Sequence, residues 1–150
     1  MLEGVALEPG DRVLFLMIPE SAILARFSEQ TPRGIVVALG SRDEVYEARA
    51  AVASHENVMI VPASLDEIPW RDAFFSWVIE TRGGWTLDKA CAREVVRVLI
   101  PEGHAWISGV DTDPLMEAGL LNAGGGAGYR LLRKAAEAPP VPANGLFKVL

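Results

Sequence analysis

Few side chains in this sequence are spaced for chemistry. Glu80 follows the apolar run of residues 73–79 (AFFSWVI) and precedes Thr81 and Arg82. A carboxylate just past a buried strand either faces a ligand or a cation across a crevice, or is a solvated loop acid. Residues 124–128 (GGGAG) offer backbone amides for a phosphate. They follow a helical stretch, however, whereas phosphate loops join a strand to a helix, so they read as a flexible loop. Asp111 and Asp113 have hard-cation spacing but read more simply as a loop pair capping the next helix. His55 and His104 have no acid or nucleophile pattern around them and read as structural. Cys91 falls on the apolar stripe of a helix, which predicts an inert core thiol. Trp70, Phe74, Phe75, Trp77 and Trp85 are mostly core material, with Trp70 and Trp85 in loops where they could line a pocket. No catalytic residue and no metal site is assigned.

The bulk numbers narrow the setting. The 150 residues fit one domain, half of them are apolar, and the net charge is −6. Nucleic acid needs clustered Lys and Arg, and none cluster here. With a single cysteine, neither an internal disulfide nor a Cys-rich zinc site can form, which suits reducing cytoplasm. Residues 1–10 carry acids and no long apolar run, so they do not read as a signal peptide. No stretch approaches the roughly 20 apolar residues of a membrane span.

The elements that must position these residues alternate regularly. Residues 12–17 (RVLFLM), 35–39 (IVVAL), 57–61 (NVMIV), 73–79 and 104–108 (HAWIS) read as five strands. Pro19 and Glu20 open a first helix with an apolar face of Ile23, Leu24 and Phe27, and residues 31–34 (TPRG) stop it. Ser41 caps a second helix bearing Val45, Ala48 and Val52. Thr86 caps a third, with Cys91, Val95, Val98 and Leu99 on one face, and residues 101–103 (PEG) stop it. A helix is expected over residues 115–123, then the glycine loop, then strands over 129–134 and 146–150. The prolines of 139–142 exclude a helix between those strands. Repeated strand–helix steps with a closing strand pair predict an open α/β sheet with right-handed crossovers.

Residues 93–103 (REVVRVLIPEG) resemble the E-x-x-RVL-x-P-G-G stretch of class I S-adenosylmethionine-dependent methyltransferases, with Glu102 in place of one glycine. Residues 57–79 are similar to that family's third and fourth strands, with IPW for its L-P-F and FSWVI for its F-D-x-V-I. The resemblance covers nearly the whole chain. It implies a Rossmann-like, mostly parallel sheet of seven strands in the order 3-2-1-4-5-7-6, the seventh antiparallel, with helices on both faces. It also implies a cofactor crevice lined by Leu16, Met17, Pro19, Leu39, Gly40, Ala63, Ser64 and Glu80.

Several of these positions depart from the family pattern. Phe15 stands where the first strand should end in an acid. Met17, Pro19 and Ser21 stand where glycines should let the backbone lie against the cofactor. Leu39 or Gly40 replaces the acid for the ribose hydroxyls, and Ala63, next to Ser64, replaces the acid for the adenine amine. The side chains of Met17 and Pro19 are expected to fill the ribose space. Only about ten residues precede the first strand, so the helices that cover substrate in small-molecule members are missing from this stretch.

Two functions follow from the resemblance. One is a binding or interaction module that keeps the fold without ordinary S-adenosylmethionine binding and works with a small molecule, a protein partner or further copies of itself. The other is a divergent methyltransferase acting on a small molecule.

Overall fold

The computed structural model describes residues 2–137. At the centre of the sheet lie β1 (Arg12–Phe15), β2 (Ile35–Gly40) and β4 (Phe75–Glu80). Residues 36–39 of β2 are all buried, as an apolar run covered on both faces requires. With β3 (Val58–Pro62), β5 (Leu99–Ser108), β6 (Leu121–Gly126) and β7 (Tyr129–Arg133), the strands form one sheet of seven in the order β3-β2-β1-β4-β5-β7-β6. The first five pair in parallel, and β7 runs antiparallel to both β5 and β6. This is the topology that the resemblance implies.

Side chains of a strand alternate between faces, so the sheet makes two cores. On one face α1 (Ser21–Gln30) and α2 (Arg42–Ala51) bring Leu24, Phe27 and Val45 onto Val13, Phe15, Val36 and Ala38. On the other, α3 (Lys89–Val98) and α4 (Asp113–Glu117) bring Cys91, Val95 and Leu115 onto Leu14, Leu16, Val37 and Val78. Leu2, Val5 and Leu7 pack against the first core, and Trp106 donates its indole N–H to the Glu3 carbonyl at 2.7 Å.

The motif that anchors the resemblance proves to be structural. Glu94 accepts the Ile68 amide at 2.8 Å and two bonds from Arg97. Arg97 also donates to Asp72 and to the carbonyls of Ile68 and Trp70. Together they pin the crossover between β3 and β4 to α3. Gly103 has no room for a side chain, because a Cβ there would sit 2.9 Å from the Ile100 carbonyl oxygen. Glu102 occupies the left-handed region at φ 68°, which explains a glycine at that place in the pattern.

Several boundaries differ from expectation. Asp88, not Thr86, caps α3, accepting the Cys91 amide at 2.9 Å. α3 already ends at Val98, before the PEG stretch, which lies inside β5 at an irregularity where β4 pairs with Leu99 and then resumes at His104. The fourth helix is short and ends at Glu117. The glycine run is not a loop: β6 extends through Gly126, leaving Ala127 and Gly128 as the turn. The strand expected over 146–150 and the prolines of 139–142 lie outside the described residues.

Candidate functional site

Ligands of open α/β sheets bind beyond the carboxyl ends of the strands, where neighbouring crossovers diverge. Here that place lies past β1, β2 and β4. The turn after β1 starts with Leu16, which is buried and donates its amide to the Ile79 carbonyl at 3.0 Å, tying the turn to β4. Pro19 is buried and Met17 is half-buried. Ile18 lies against the end of β2: a Cβ added to Gly40 would meet Ile18 Cδ1 at 2.6 Å and Glu44 Oε1 at 3.3 Å. Leu39 is fully buried in the core on the α3 side and offers nothing to a ligand.

Glu44 is a residue of this site that the sequence did not single out. No acid stands at the last residues of β2, yet one reaches that place from the first turn of α2. Ser41 and Glu44 form a reciprocal capping box, with the Ser41 amide donating to Glu44 Oε1 at 3.0 Å and the Glu44 amide to Ser41 Oγ at 3.3 Å. The other carboxylate oxygen accepts Arg82 Nη1 at 3.1 Å. The Ser41 amide, and then Arg82, hold the Glu44 carboxyl below its ordinary range. The ion pair ties the loop after β4 to the start of α2.

Glu80 is not a solvated loop acid. It is the last residue of β4 and is fully buried. Its Oε2 accepts the amides of Arg82 at 3.1 Å and Gly83 at 2.7 Å, and the Trp85 indole N–H at 2.7 Å. One oxygen thus folds the whole loop back onto the strand. Oε1 is the only buried side-chain polar atom without a partner among the described residues. The loop then passes so close to the one after β5 that a Cβ on Gly83 would sit 3.0 Å from Gly109 Cα, and Gly84 donates to the Gly109 carbonyl.

The remaining crevice candidates do not converge on Glu80. Ala63 packs on the core and donates its amide to the Gly40 carbonyl, while Ser64 is exposed and donates to Asp66 at 2.5 Å. Two cavities open along this edge of the sheet. One, of about 370 Å³, lies between α1 and α2 against Ile18, Pro19, Glu44 and Arg82. The other, of about 520 Å³, lies past β5 against Asp111, Asp113, Tyr129 and Arg130. Leu16, Met17, Leu39, Gly40, Ala63, Ser64 and Glu80 line neither.

The other sequence candidates have structural roles. Trp85 is spent on Glu80, and Trp70 packs against Phe74 and Phe75. His104 stacks on Trp77 at 5.0 Å; burial, and then the Arg133 charge, lower its pKa. Cys91 is buried, and desolvation followed by the Asp88 charge pushes its thiol up to about 12. Asp111 accepts the Asp113 amide at the start of α4. No group of three or more His, Cys, Asp or Glu side chains that could hold a metal occurs among the described residues.

No protein-family model matches the chain, and no curated protein matches it by sequence. Solved structures do. A methyltransferase from Aquifex aeolicus dependent on S-adenosylmethionine aligns over 85% of this chain and 83% of its own, with a TM-score of 0.69 at 17% identity. The cyclase SpnF aligns over 87% and 77%, with a TM-score of 0.74 at 13% identity. A Galdieria sulphuraria protein assigned as a sarcosine dimethylglycine methyltransferase aligns over 77% of this chain, with a TM-score of 0.63 at 17% identity. The present chain spans only 56% of that protein's length. At such identities the likeness establishes architecture: this chain has the fold of the class I S-adenosylmethionine-dependent methyltransferases.

Proposed function

We propose that the chain is a methyltransferase-fold binding module that does not hold S-adenosylmethionine in the family's usual crevice. The observation that carries this reading is Ile18 lying on Gly40 at the end of β2, where a side chain of any size on residue 40 already collides with it. A ribose needs that space and hydrogen-bond acceptors beside it. The acids nearby are committed elsewhere: Glu44 to Ser41 and Arg82, and Glu80 Oε2 to its own loop. On this reading the cofactor does not fit the residues as they stand. SpnF, a cyclase, shares the architecture, which agrees with the rule that a fold does not fix its chemistry.

The module's partners are a small molecule, another protein or a second copy of the chain. Its lone buried thiol suits the reducing cytoplasm, and no described helix is long and apolar enough to cross a membrane.

Two observations favour the second reading, a divergent methyltransferase. Glu44 supplies a carboxylate at the end of β2, and Glu80 keeps one free oxygen. If Arg82 swings away, the Glu44 carboxylate becomes available to a cofactor. Thermal unfolding with and without S-adenosylmethionine separates the readings. A ligand at about 100 times its dissociation constant adds about 2.7 kcal/mol, a clear rise in Tm. The binding-module reading expects no rise at millimolar ligand. A rise would move the assignment to the enzyme.

A further inference from the structure

On the far side of α2 from the crevice, a groove of about 390 Å³ runs along β3 at the outer edge of the sheet. Its apolar wall on the α2 side includes Val52, Ala53 and Val58. Its charged or titratable side chains are Arg49, His55 and Glu56.

Both basic groups are held in fixed orientations by the fold. Arg49 donates Nε to the Ile60 carbonyl at 3.0 Å and forms no ion pair among the described residues, so its terminal nitrogens are left for another acceptor. His55 is oriented through a chain of bonds whose directions can be worked out. Asn57 Nδ2 donates to the carbonyls of Ser28 and Thr31, at 3.1 and 2.8 Å, which fixes its amide and makes Oδ1 an acceptor. The Ser28 hydroxyl therefore gives its proton to Asn57 Oδ1. Ser28 Oγ can then only accept from His55 Nδ1, 3.4 Å away. The neutral imidazole thus carries its proton on Nδ1 and presents Nε2 as a lone pair. Glu56 and the chain's net charge of −6 disfavour a doubly charged phosphate.

We propose that this groove binds a small hydroxycarboxylate with an apolar tail. The carboxylate takes the two free guanidinium nitrogens of Arg49, the hydroxyl donates to His55 Nε2, and the tail lies along Ala53 and Val58. This assignment goes beyond the function proposed above and does not depend on whether the crevice takes a cofactor. The edge of β3 is otherwise poorly suited to pairing with another strand. The Val58 amide is already given to the His55 carbonyl, Ile60 O is taken by Arg49, and Pro62 has no N–H. That favours a small ligand over an added strand.

The test is a titration of the whole chain with 3-hydroxyoctanoate, followed by backbone amide and histidine ring NMR. Octanoate, which lacks the hydroxyl, and the methyl ester of 3-hydroxyoctanoate, which lacks the charge, are run in parallel. Saturable shifts are expected at the His55 ring and the amides of residues 58–61. Arg49→Met should weaken binding about 10- to 100-fold, the loss of one charge-assisted pair. Octanoate should bind several-fold more weakly, and His55→Phe should abolish the difference between the two acids. Both variants are checked for unchanged folding by circular dichroism. The proposal is overturned if there is no saturable shift at about 10 mM ligand, a level that would reveal even a millimolar site, or if shifts centre elsewhere. It is also overturned if a folded Arg49→Met variant binds as tightly as the parent.

Discussion

Replacing Glu80 by alanine separates a structural acid from a ligand-binding one. The carboxylate is fully buried, and three donors converge on its Oε2: two backbone amides and the Trp85 indole. Hydrogen bonds to a charged acceptor contribute about 1.5–3 kcal/mol each, but they are not additive around a single oxygen. Truncation also leaves its partners facing a void. At about 1–3 kcal/mol for each buried donor left unpaired, less than additively, the three neutral donors together cost about 3–5 kcal/mol. A domain of this length loses about 2–4 °C of Tm per kcal/mol, so Glu80→Ala should lower Tm by roughly 6–20 °C. Glu80→Gln should cost less, since its amide oxygen can replace Oε2 and accept the same donors. Guanidinium unfolding, monitored by circular dichroism, measures both. A Glu80→Ala protein within roughly 1 kcal/mol of the parent would refute the structural role and return Glu80 to the list of ligand-facing acids, since such groups are often held at a cost to stability.

Other substitutions probe the rest of the frame. Glu102→Gly should raise stability by about 0.5–1 kcal/mol, because relief of the left-handed backbone at φ 68° outweighs glycine's extra freedom when unfolded; a lower denaturation midpoint would contradict this. Arg97→Met removes the donor shared by Glu94, Asp72 and two carbonyls and should cost about 2–4 kcal/mol by the same measurement. Cys91 should resist iodoacetamide in the folded protein at pH 8 and react only on unfolding, since its thiol is buried and pushed up to about 12. Stability should fall steadily on acidification. His104 has a lowered folded pKa, so its contribution is full above the ordinary 6.5 and is lost as pH drops through the folded value. Glu44 and Glu94 are depressed from 4.5, so theirs is full above that value and lost below it. Denaturation midpoints between pH 8 and pH 3 check the slope, and His104→Phe should flatten its upper part while keeping the stack on Trp77.

The sheet was readable in the sequence where burial on both faces makes strands uniformly apolar. Residues 36–39 left little alternative. β6 gave no such signal, because every residue of it is exposed and half are glycine, so the run read as a loop. The third helix was displaced at its start because Thr86 and Asp88 both suit a cap, and only the Cys91 amide decides between them. Glu80 was read as lying just past the strand that it in fact ends, and its burial was not legible. Two of its donors are backbone amides, which leave no trace in residue type. Glu44 did leave a trace, in the Ser41-x-x-Glu44 spacing of a capping box, but that pattern announces a helix start and not a carboxylate over β2. The residue nearest Gly40 depends on the path of a short turn, so spacing alone did not single out Ile18.

The proposal that the crevice does not take the cofactor is tested most directly by backbone amide spectra of the chain titrated with S-adenosylhomocysteine to millimolar concentration. With Ile18 on Gly40 and Arg82 on Glu44, the amides of Leu16, Ile18, Gly40, Glu80 and Gly83 should not move. Saturable shifts at those residues would contradict the account and show that the crevice opens to the cofactor.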